Sequence, residues 1–236
     1  NPGTELRDAL TREAATRALS ITALGNDYRP VCDILDAKAF VNGIVGLMAT
    51  GGSTNLVLHL PAMARAAGVD LRLEDFDAIS SIVPLMAKVY PNGLADVNHF
   101  HAAGGLPYMI GRLLDAGLLH EDVKTVAGDS LGLHAQEPAL DGGALIFRDG
   151  AKDSANDQIL RTADDPFQSS GGLKQLKGNL GHGMMKVSAV APERHVVEAP
   201  ARVFESQDAV KDAFKAGEFT SDLVIVVRFQ GPKANG

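Results

Sequence analysis

The hydrophobic pattern of this chain of 236 residues changes near Gly171, and that change limits the folds open to it. Before Gly171, apolar residues recur at helical spacing between short loops rich in glycine and proline. After Gly171 come valine-rich runs, which favour strands. They lie at 184–190, 195–204 and 222–229. The sequence therefore predicts an α/β protein in two parts, residues 1–175 and residues 176–236.

Helices are predicted mainly in the first part. Thr4 is a candidate N-cap, because its hydroxyl can accept a hydrogen bond from the first turn. Pro61 lies within one predicted helix, so that helix either kinks there or begins later. Ser206 caps a further amphipathic segment, which makes the tail strand, helix, strand. The predicted helices of the first part are 4–19, 56–67, 75–82 and 106–116, and the apolar segment 40–48 is predicted to be buried.

The charge balance excludes some classes of partner. The chain has 22 Lys and Arg residues against 29 Asp and Glu residues, a formal net charge of −7. A non-specific nucleic-acid surface needs clustered positive charge, so we expect no nucleic-acid partner. No apolar run approaches the roughly 20 residues that cross a bilayer, and residues 1–7 do not look like a secretion signal. We therefore expect a cytoplasmic protein that does not contact a membrane.

Cys32 is the only cysteine, which excludes an internal disulfide. A single thiolate also cannot supply an iron–sulfur cluster or a structural zinc site, since each requires several ligands. Apolar neighbours, such as Val31 and Ile34, suit a packed segment. We expect Cys32 to be a small buried thiol without a chemical role.

The strongest chemical candidate is the segment formed by Gly51, Gly52, Ser53, Thr54 and Asn55. Two glycines allow the backbone to approach a ligand, and a following helix start offers unpaired N–H groups to a phosphate or carboxylate. An equally good interpretation is local: Ser53 is a plain N-cap and Asn55 a residue of the first helical turn. The residues alone leave both interpretations open.

Two histidines, His99 and His101, lie two residues apart. On a strand both rings would point to the same side, whereas on a helix they would lie on different faces. No third metal ligand is tied to them by local spacing, so we expect a structural or hydrogen-bonding role, with a substrate contact as the alternative. The phosphate loop G-x-x-x-x-G-K-[ST] and the dinucleotide motif G-x-G-x-x-G are absent from the sequence.

Several strings are long enough to indicate a family. They are V-N-G-I-V-G-L-M-A-T-G-G-S-T-N-L-V-L-H-L at 41–60, M-A-R-A-A-G at 63–68, D-F-D-A-I-S at 75–80, A-G-G-L-P at 103–107 and V-V-R-F-Q-G-P-K-A-N-G at 226–236. Together they resemble the dihydroxyacid/6-phosphogluconate dehydratase family. The string V-P-L-M-A-K-V-Y-P-N-G at 83–93 is similar to the phosphogluconate branch of that family.

The resemblance implies a fold. Family members join an α/β N-terminal domain to a β-barrel-like C-terminal domain. Residues 1–175 would be the C-terminal part of the first domain, and residues 176–236 the first part of the second. The family's active site lies between these domains in a homodimer. Because family members are longer on both sides, we expect this chain to be an internal segment.

The resemblance also implies an activity for the full-length protein: dehydration of 6-phosphogluconate to 2-keto-3-deoxy-6-phosphogluconate, a step of the Entner–Doudoroff pathway. The family holds an iron–sulfur cluster and magnesium through motifs that this chain lacks. We therefore expect it to contain no catalytic residue and no metal ligand, and to be inactive and colourless by itself. The resemblance leaves residues 51–55 and Lys233 as candidate contacts to a phosphorylated sugar acid.

Two alternative functions stay open at this point. The full-length protein could dehydrate another sugar acid or a branched dihydroxyacid. A protein without the flanking catalytic motifs would instead be a non-catalytic anion-binding module.

Overall fold

A computed structural model describes residues 3–231 of the protein. The chain forms two compact units, the first ending at Ala189 and the second beginning at Val190. Both helices and strands are present, as the α/β prediction requires. The predicted domain boundary between residues 175 and 176 stays a prediction, because a compact unit need not coincide with a family domain.

The first unit contains seven α-helices and four strands within its described residues. The helices are α1 (Glu5–Ser20), α2 (Val31–Ile34), α3 (Ala37–Thr50), α4 (Leu56–Ala66), α5 (Leu73–Ser80), α6 (Val97–Ala102) and α7 (Gly105–Asp115). The strands are β1 (Gln136–Asp141), β2 (Ala144–Asp149), β3 (Lys174–Gly178) and β4 (Gly181–Met185). Short 3₁₀ turns lie at Leu131–Ala135, before β1, and at Val187–Ala189, after β4.

The predicted helices of the first unit are confirmed. The hydroxyl of Thr4 accepts a hydrogen bond of 3.3 Å from the backbone N–H of Arg7, so Thr4 caps α1 as expected. Helix α4 begins at Leu56 and runs through Pro61, which shows that the alternative of a later start was wrong. No helix among residues 3–231 is both long and apolar enough to cross a membrane.

The core of the first unit surrounds α3. Ile44 and Met48 on this helix are fully buried, together with Phe76 of α5 and Leu160 of a later loop. Full burial of side chains of this size contributes about 1.5–3 kcal/mol each relative to exposure. The prediction that 40–48 is a buried segment is confirmed. Helix α3 is therefore a fixed support for the loop that follows it.

The strands of the first unit form two separate hairpins. β1 pairs with β2 in an antiparallel register across Gly142 and Gly143, which have φ values of 56° and 86°. Positive φ at both central residues is the geometry that two-residue hairpin turns favour. β3 pairs with β4, also antiparallel. Sequence reasoning did not detect either hairpin, although the D-G-G triplet at 141–143 is a turn signal.

The second unit has a strand, helix, strand order, as predicted. It contains a 3₁₀ turn at Pro192–Arg194, then β5 (Ala201–Phe204), α8 (Gln207–Lys215) and β6 (Val224–Val227). β5 and β6 pair in parallel, and the hydroxyl of Ser206 caps α8 by accepting from the N–H of Ala209 at 3.1 Å. Each sheet within residues 3–231 has two strands. The barrel-like second domain stays a prediction.

Two of the predicted strands need correction. The run 184–190 is not one strand, because β4 ends at Met185 and the chain turns at Val187–Ala189. The backbone N–H of Ser188 donates to the carbonyl of Gly172, and its hydroxyl donates to Asn92, so this segment bonds elsewhere in the first unit and does not extend the ladder. The run 195–204 forms a strand only from Ala201, directly after Pro200, whose missing N–H disfavours a ladder position.

Candidate functional site

The Gly51–Asn55 loop lies directly after α3. Gly51 has φ = 57°, the left-handed conformation that favours glycine at a helix C-terminus. The N–H of Gly52 donates to the carbonyl of Leu47 at 2.9 Å, which closes the end of the helix. A Cβ atom on Gly51 would lie 2.2 Å from Nδ2 of Asn92. The loop therefore needs glycine at this position for both backbone conformation and space.

The loop does not follow the simple N-cap interpretation. Helix α4 has Asn55 at the N-cap position, and no side chain caps it. The hydroxyl of Ser53 accepts from the N–H of Asn55 at 3.2 Å, which makes a tight turn just before the helix. The prediction that Ser53 is the N-cap and Asn55 a first-turn residue was therefore wrong, because Asn55 is the N-cap residue of α4. The N–H groups of Ser53 and Thr54 have no hydrogen-bond acceptor among the described residues.

A cavity of about 450 Å³ opens beside this loop. The cavity is lined by residues 50–54 and 89–91, together with Val97, Phe100 and Lys186. Of the described residues that line the cavity, Lys186 alone carries a charge at neutral pH. A pocket of this volume is within the range of small-molecule sites.

Asn92 joins the loop to the segment that carries Lys186. Its Nδ2 donates to the carbonyl of Gly51 at 3.0 Å, and its Oδ1 accepts from the hydroxyl of Ser188 at 2.8 Å. The N–H of Ser188 also donates to the carbonyl of Gly172 at 3.3 Å. These bonds fix the 3₁₀ turn after Lys186 against the loop, although the two are far apart in sequence.

Lys186 is half-buried, and burial lowers the pKa of its ammonium group. Sequence reasoning missed this residue. Its local string, M-M-K-V-S, gives no signal of a binding site. Asn92 was noted only within a string typical of the phosphogluconate branch, and its link to Gly51 could not be predicted from spacing.

The histidine pair has a structural role at His99. These residues lie on α6, a helix, so the two rings do not share a face. Nδ1 of His99 lies 2.8 Å from Oδ1 of Asp96. Asp96 caps the helix by accepting from the N–H groups of His99 and Asn98, and these bonds, led by that from His99, hold the pKa of its carboxyl below the usual value. His101 lines a different cavity of the first unit.

The donor groups of the described residues do not fit an iron–sulfur cluster or a magnesium site. No three His, Cys, Asp or Glu side chains within residues 3–231 come together as a metal site would require. Cys32 is exposed, which corrects the expectation of a buried thiol. Helix α2 has only four residues and buries none of them, so its apolar side chains do not enclose the sulfur. We assign no metal ligand in this part of the chain.

The candidate substrate contacts are placed only in part. Gly51, Gly52, Ser53 and Thr54 line the cavity, whereas Asn55 precedes α4 without lining it. Lys233 lies outside the described residues.

Comparison with known proteins gives matches to one family. The model of the dihydroxy-acid/6-phosphogluconate dehydratase N-terminal domain matches residues 1–135, and that of the C-terminal domain matches residues 158–236. The chain is 57% identical to a phosphogluconate dehydratase of Rhizobium meliloti, 56% to one of Pseudomonas aeruginosa and 53% to one of Escherichia coli strain K12. Each alignment covers 100% of this chain but 39% of the relative, so the chain spans about two fifths of their length.

Proposed function

Because this chain belongs to the dihydroxy-acid/6-phosphogluconate dehydratase family, we propose that the whole protein containing it dehydrates 6-phosphogluconate to 2-keto-3-deoxy-6-phosphogluconate. Here the whole protein means a protein as long as these relatives. The observation that carries the proposal is identity of 53–57% to phosphogluconate dehydratases across the entire chain. The reaction removes a proton from C2 and a hydroxide from C3, and the enol formed tautomerises to the 2-keto acid.

The proposed role of this chain is to bind substrate rather than to perform the elimination. The loop at residues 51–55 would form an anion-binding edge of the substrate pocket. The unpaired N–H groups of Ser53 and Thr54, beside a cavity of about 450 Å³, support this role. Lys233 is proposed as a further partner for a phosphate or carboxylate.

The remaining proposals concern the whole protein. It would be a cytoplasmic homodimer whose second domain is barrel-like and whose active site lies between domains. The family's iron–sulfur cluster and magnesium would act on the departing hydroxyl and the substrate carboxylate. Their ligands would come from outside residues 3–231, since the donor set there does not fit either group.

A substrate comparison tests the proposed function. The whole protein, purified anaerobically, is assayed for 2-keto acid release from 6-phosphogluconate and from 2,3-dihydroxyisovalerate. We expect kcat/KM to favour 6-phosphogluconate by at least about a hundredfold, because a site built for phosphate leaves its donors unpaired with the smaller acid. Preference for the branched acid would assign the protein to the other activity of the family. Absence of turnover with either compound would favour the non-catalytic anion-binding module.

A further inference from the structure

Lys186 differs from the other lysines of the described chain in its surroundings. Five of them form ion pairs with Asp or Glu, and these are Lys38, Lys124, Lys174, Lys177 and Lys211. Three more have no ion pair but are exposed to solvent, namely Lys88, Lys152 and Lys215. Among residues 3–231, Lys186 is thus the lysine that is partly removed from water and has no carboxylate partner.

An unpaired, half-buried ammonium is costly. Removing a charge from water without a compensating partner disfavours the charged form, and here burial lowers the lysine pKa. Lys186 also lines the cavity beside the Gly51 loop, where the described lining contains no Asp or Glu. Nothing in that lining offsets the positive charge. A bound anion would offset it.

The groups around Lys186 suit a phosphate monoester. Ser53 and Thr54 belong to the same lining, and their backbone N–H groups have no acceptor among the described residues. The ammonium of lysine is a compact point charge that binds phosphate oxygens. The three terminal oxygens of a phosphate monoester can accept from an ammonium and from backbone N–H groups at the same time.

We propose that Lys186 binds the phosphate group of the phosphorylated sugar acid and thereby determines specificity for phosphorylated over unphosphorylated substrates. This proposal rests on the proposed function and extends it to a residue outside the Gly51–Asn55 loop. Asn92 is a positioning residue in this arrangement, because its amide joins the carbonyl of Gly51 to the hydroxyl of Ser188, two residues after Lys186. Tyr90 is the other titratable side chain of the lining.

The test uses the whole protein and two ligands that differ in the phosphate alone, 6-phosphogluconate and gluconate. Binding is measured by isothermal titration calorimetry, and turnover is measured separately. Lys186→Met removes the charge and keeps the length of the side chain. We expect it to weaken binding of 6-phosphogluconate by about 10–100-fold, the effect of one lost hydrogen bond to a charged group, and to change gluconate binding by less than about threefold.

Two further variants separate charge from structure. Lys186→Arg keeps the positive charge and is expected to retain most of the preference for the phosphorylated ligand. Lys152→Met is the matched control, since Lys152 is exposed and does not line this cavity, and it is expected to leave both affinities unchanged.

Three results would overturn the proposal. These are equal weakening of both ligands by Lys186→Met, loss confined to gluconate, and unchanged binding of 6-phosphogluconate. Calorimetry needs no turnover, so the two proposals can fail separately. A protein that binds 6-phosphogluconate through Lys186 but does not dehydrate it would contradict the proposed function while supporting the assignment of Lys186.

Discussion

Asn92 donates a hydrogen bond of 3.0 Å from its side-chain amide to the backbone carbonyl of Gly51. Gly51 is buried, and its carbonyl has no other hydrogen-bond donor among residues 3–231. Loss of the amide would leave a buried acceptor unsatisfied, which costs about 1–3 kcal/mol. We therefore expect Asn92→Ala to lower the free energy of unfolding of this chain by that amount, measured by urea denaturation.

Two variants control for this prediction. Asn98→Ala changes an exposed residue whose side chain makes no hydrogen bond in the described structure, so it is expected to have little effect. Ser188→Ala removes the donor to Oδ1 of Asn92 but leaves the bond from Asn92 to Gly51. We therefore expect it to lower the free energy of unfolding by less than Asn92→Ala does. Equal stability of Asn92→Ala and Asn98→Ala would contradict the importance of the Gly51 contact.

Two glycine substitutions are expected to have opposite effects on stability. A Cβ on Gly172 would lie 2.5 Å from the hydroxyl oxygen of Ser188 and 3.1 Å from Cα of Gly51. Gly172→Ala should therefore destabilise the chain by about 1–3 kcal/mol. Gly46, inside α3, has no such neighbour within 4 Å, and Gly46→Ala should stabilise by about 0.5–1 kcal/mol. Urea denaturation of both variants checks the signs, and destabilisation by both would show that the spacing argument fails.

The surroundings of Gly51 show which features of the fold could be predicted from the sequence. The burial of segment 40–48 and the loop at Gly51 follow from local information, namely an apolar run that ends in two glycines. The approach of Gly172 to Gly51 involves residues more than a hundred positions apart. No local pattern encodes such a contact, so the packing of the loop could not be predicted in advance.

The candidate site divides in the same way. The residues from Gly51 to Thr54 were identified because two glycines let the backbone approach a ligand and a following helix start offers unpaired N–H groups. Lys186 was missed because it lay in a run predicted to be a strand, where a lysine is ordinarily a solvent-facing residue. The 3₁₀ turn after it arises from hydrogen bonds of Ser188 to Asn92 and Gly172, which are tertiary contacts.

Lys186→Met should stabilise this chain in the absence of ligand. The ammonium of Lys186 is partly removed from water without a counter-ion, so its replacement removes a desolvation cost. The lowered pKa means that the unfolded state binds the proton more tightly than the folded state. Stability of the wild type should therefore rise with pH between the lowered pKa and about 10.4, the usual value, and this contribution should be absent from the variant.

Thermal unfolding measures this effect. We expect Tm to rise by up to about 2 °C at pH 7 in Lys186→Met, a small gain because water still screens much of this half-buried ammonium. A lower Tm in the variant would mean that the ammonium has a stabilising partner within the protein and is not unpaired in the absence of ligand.

Cys32 should react readily in the native chain. The residue is exposed on the short helix α2, and its sulfur lies 3.8 Å from a carboxylate oxygen of Asp33. We expect stoichiometric modification by 5,5′-dithiobis(2-nitrobenzoic acid) without denaturant, at a rate within about tenfold of that in urea, because access controls thiol reactivity. Cys32→Ser provides the blank. Protection that disappears only on unfolding would restore the interpretation of a buried thiol.

Asp77 should make the stability of this chain sensitive to acid. Its carboxylate accepts from the backbone N–H of Gln175 at 2.9 Å and from the ammonium of Lys174 at 3.0 Å, which connects α5 to β3. Burial raises the pKa of this carboxyl, but these two donors outweigh burial and the net shift is downward. A lowered pKa in the folded state contributes stability that is complete above about 3.9, the unfolded value, and is lost as pH falls through the folded value. Asp77→Asn should therefore lower the free energy of unfolding by about 1 kcal/mol at pH 7 and by progressively less below pH 4.

Asp165→Asn is the matched control, because its side chain is 83% exposed and lies 3.9 Å from Arg161. Urea denaturation of the three proteins at pH 7 and at pH 3 checks this, and a cost for Asp77→Asn that stays constant between these values would show that the two donors do not stabilise the ionised form.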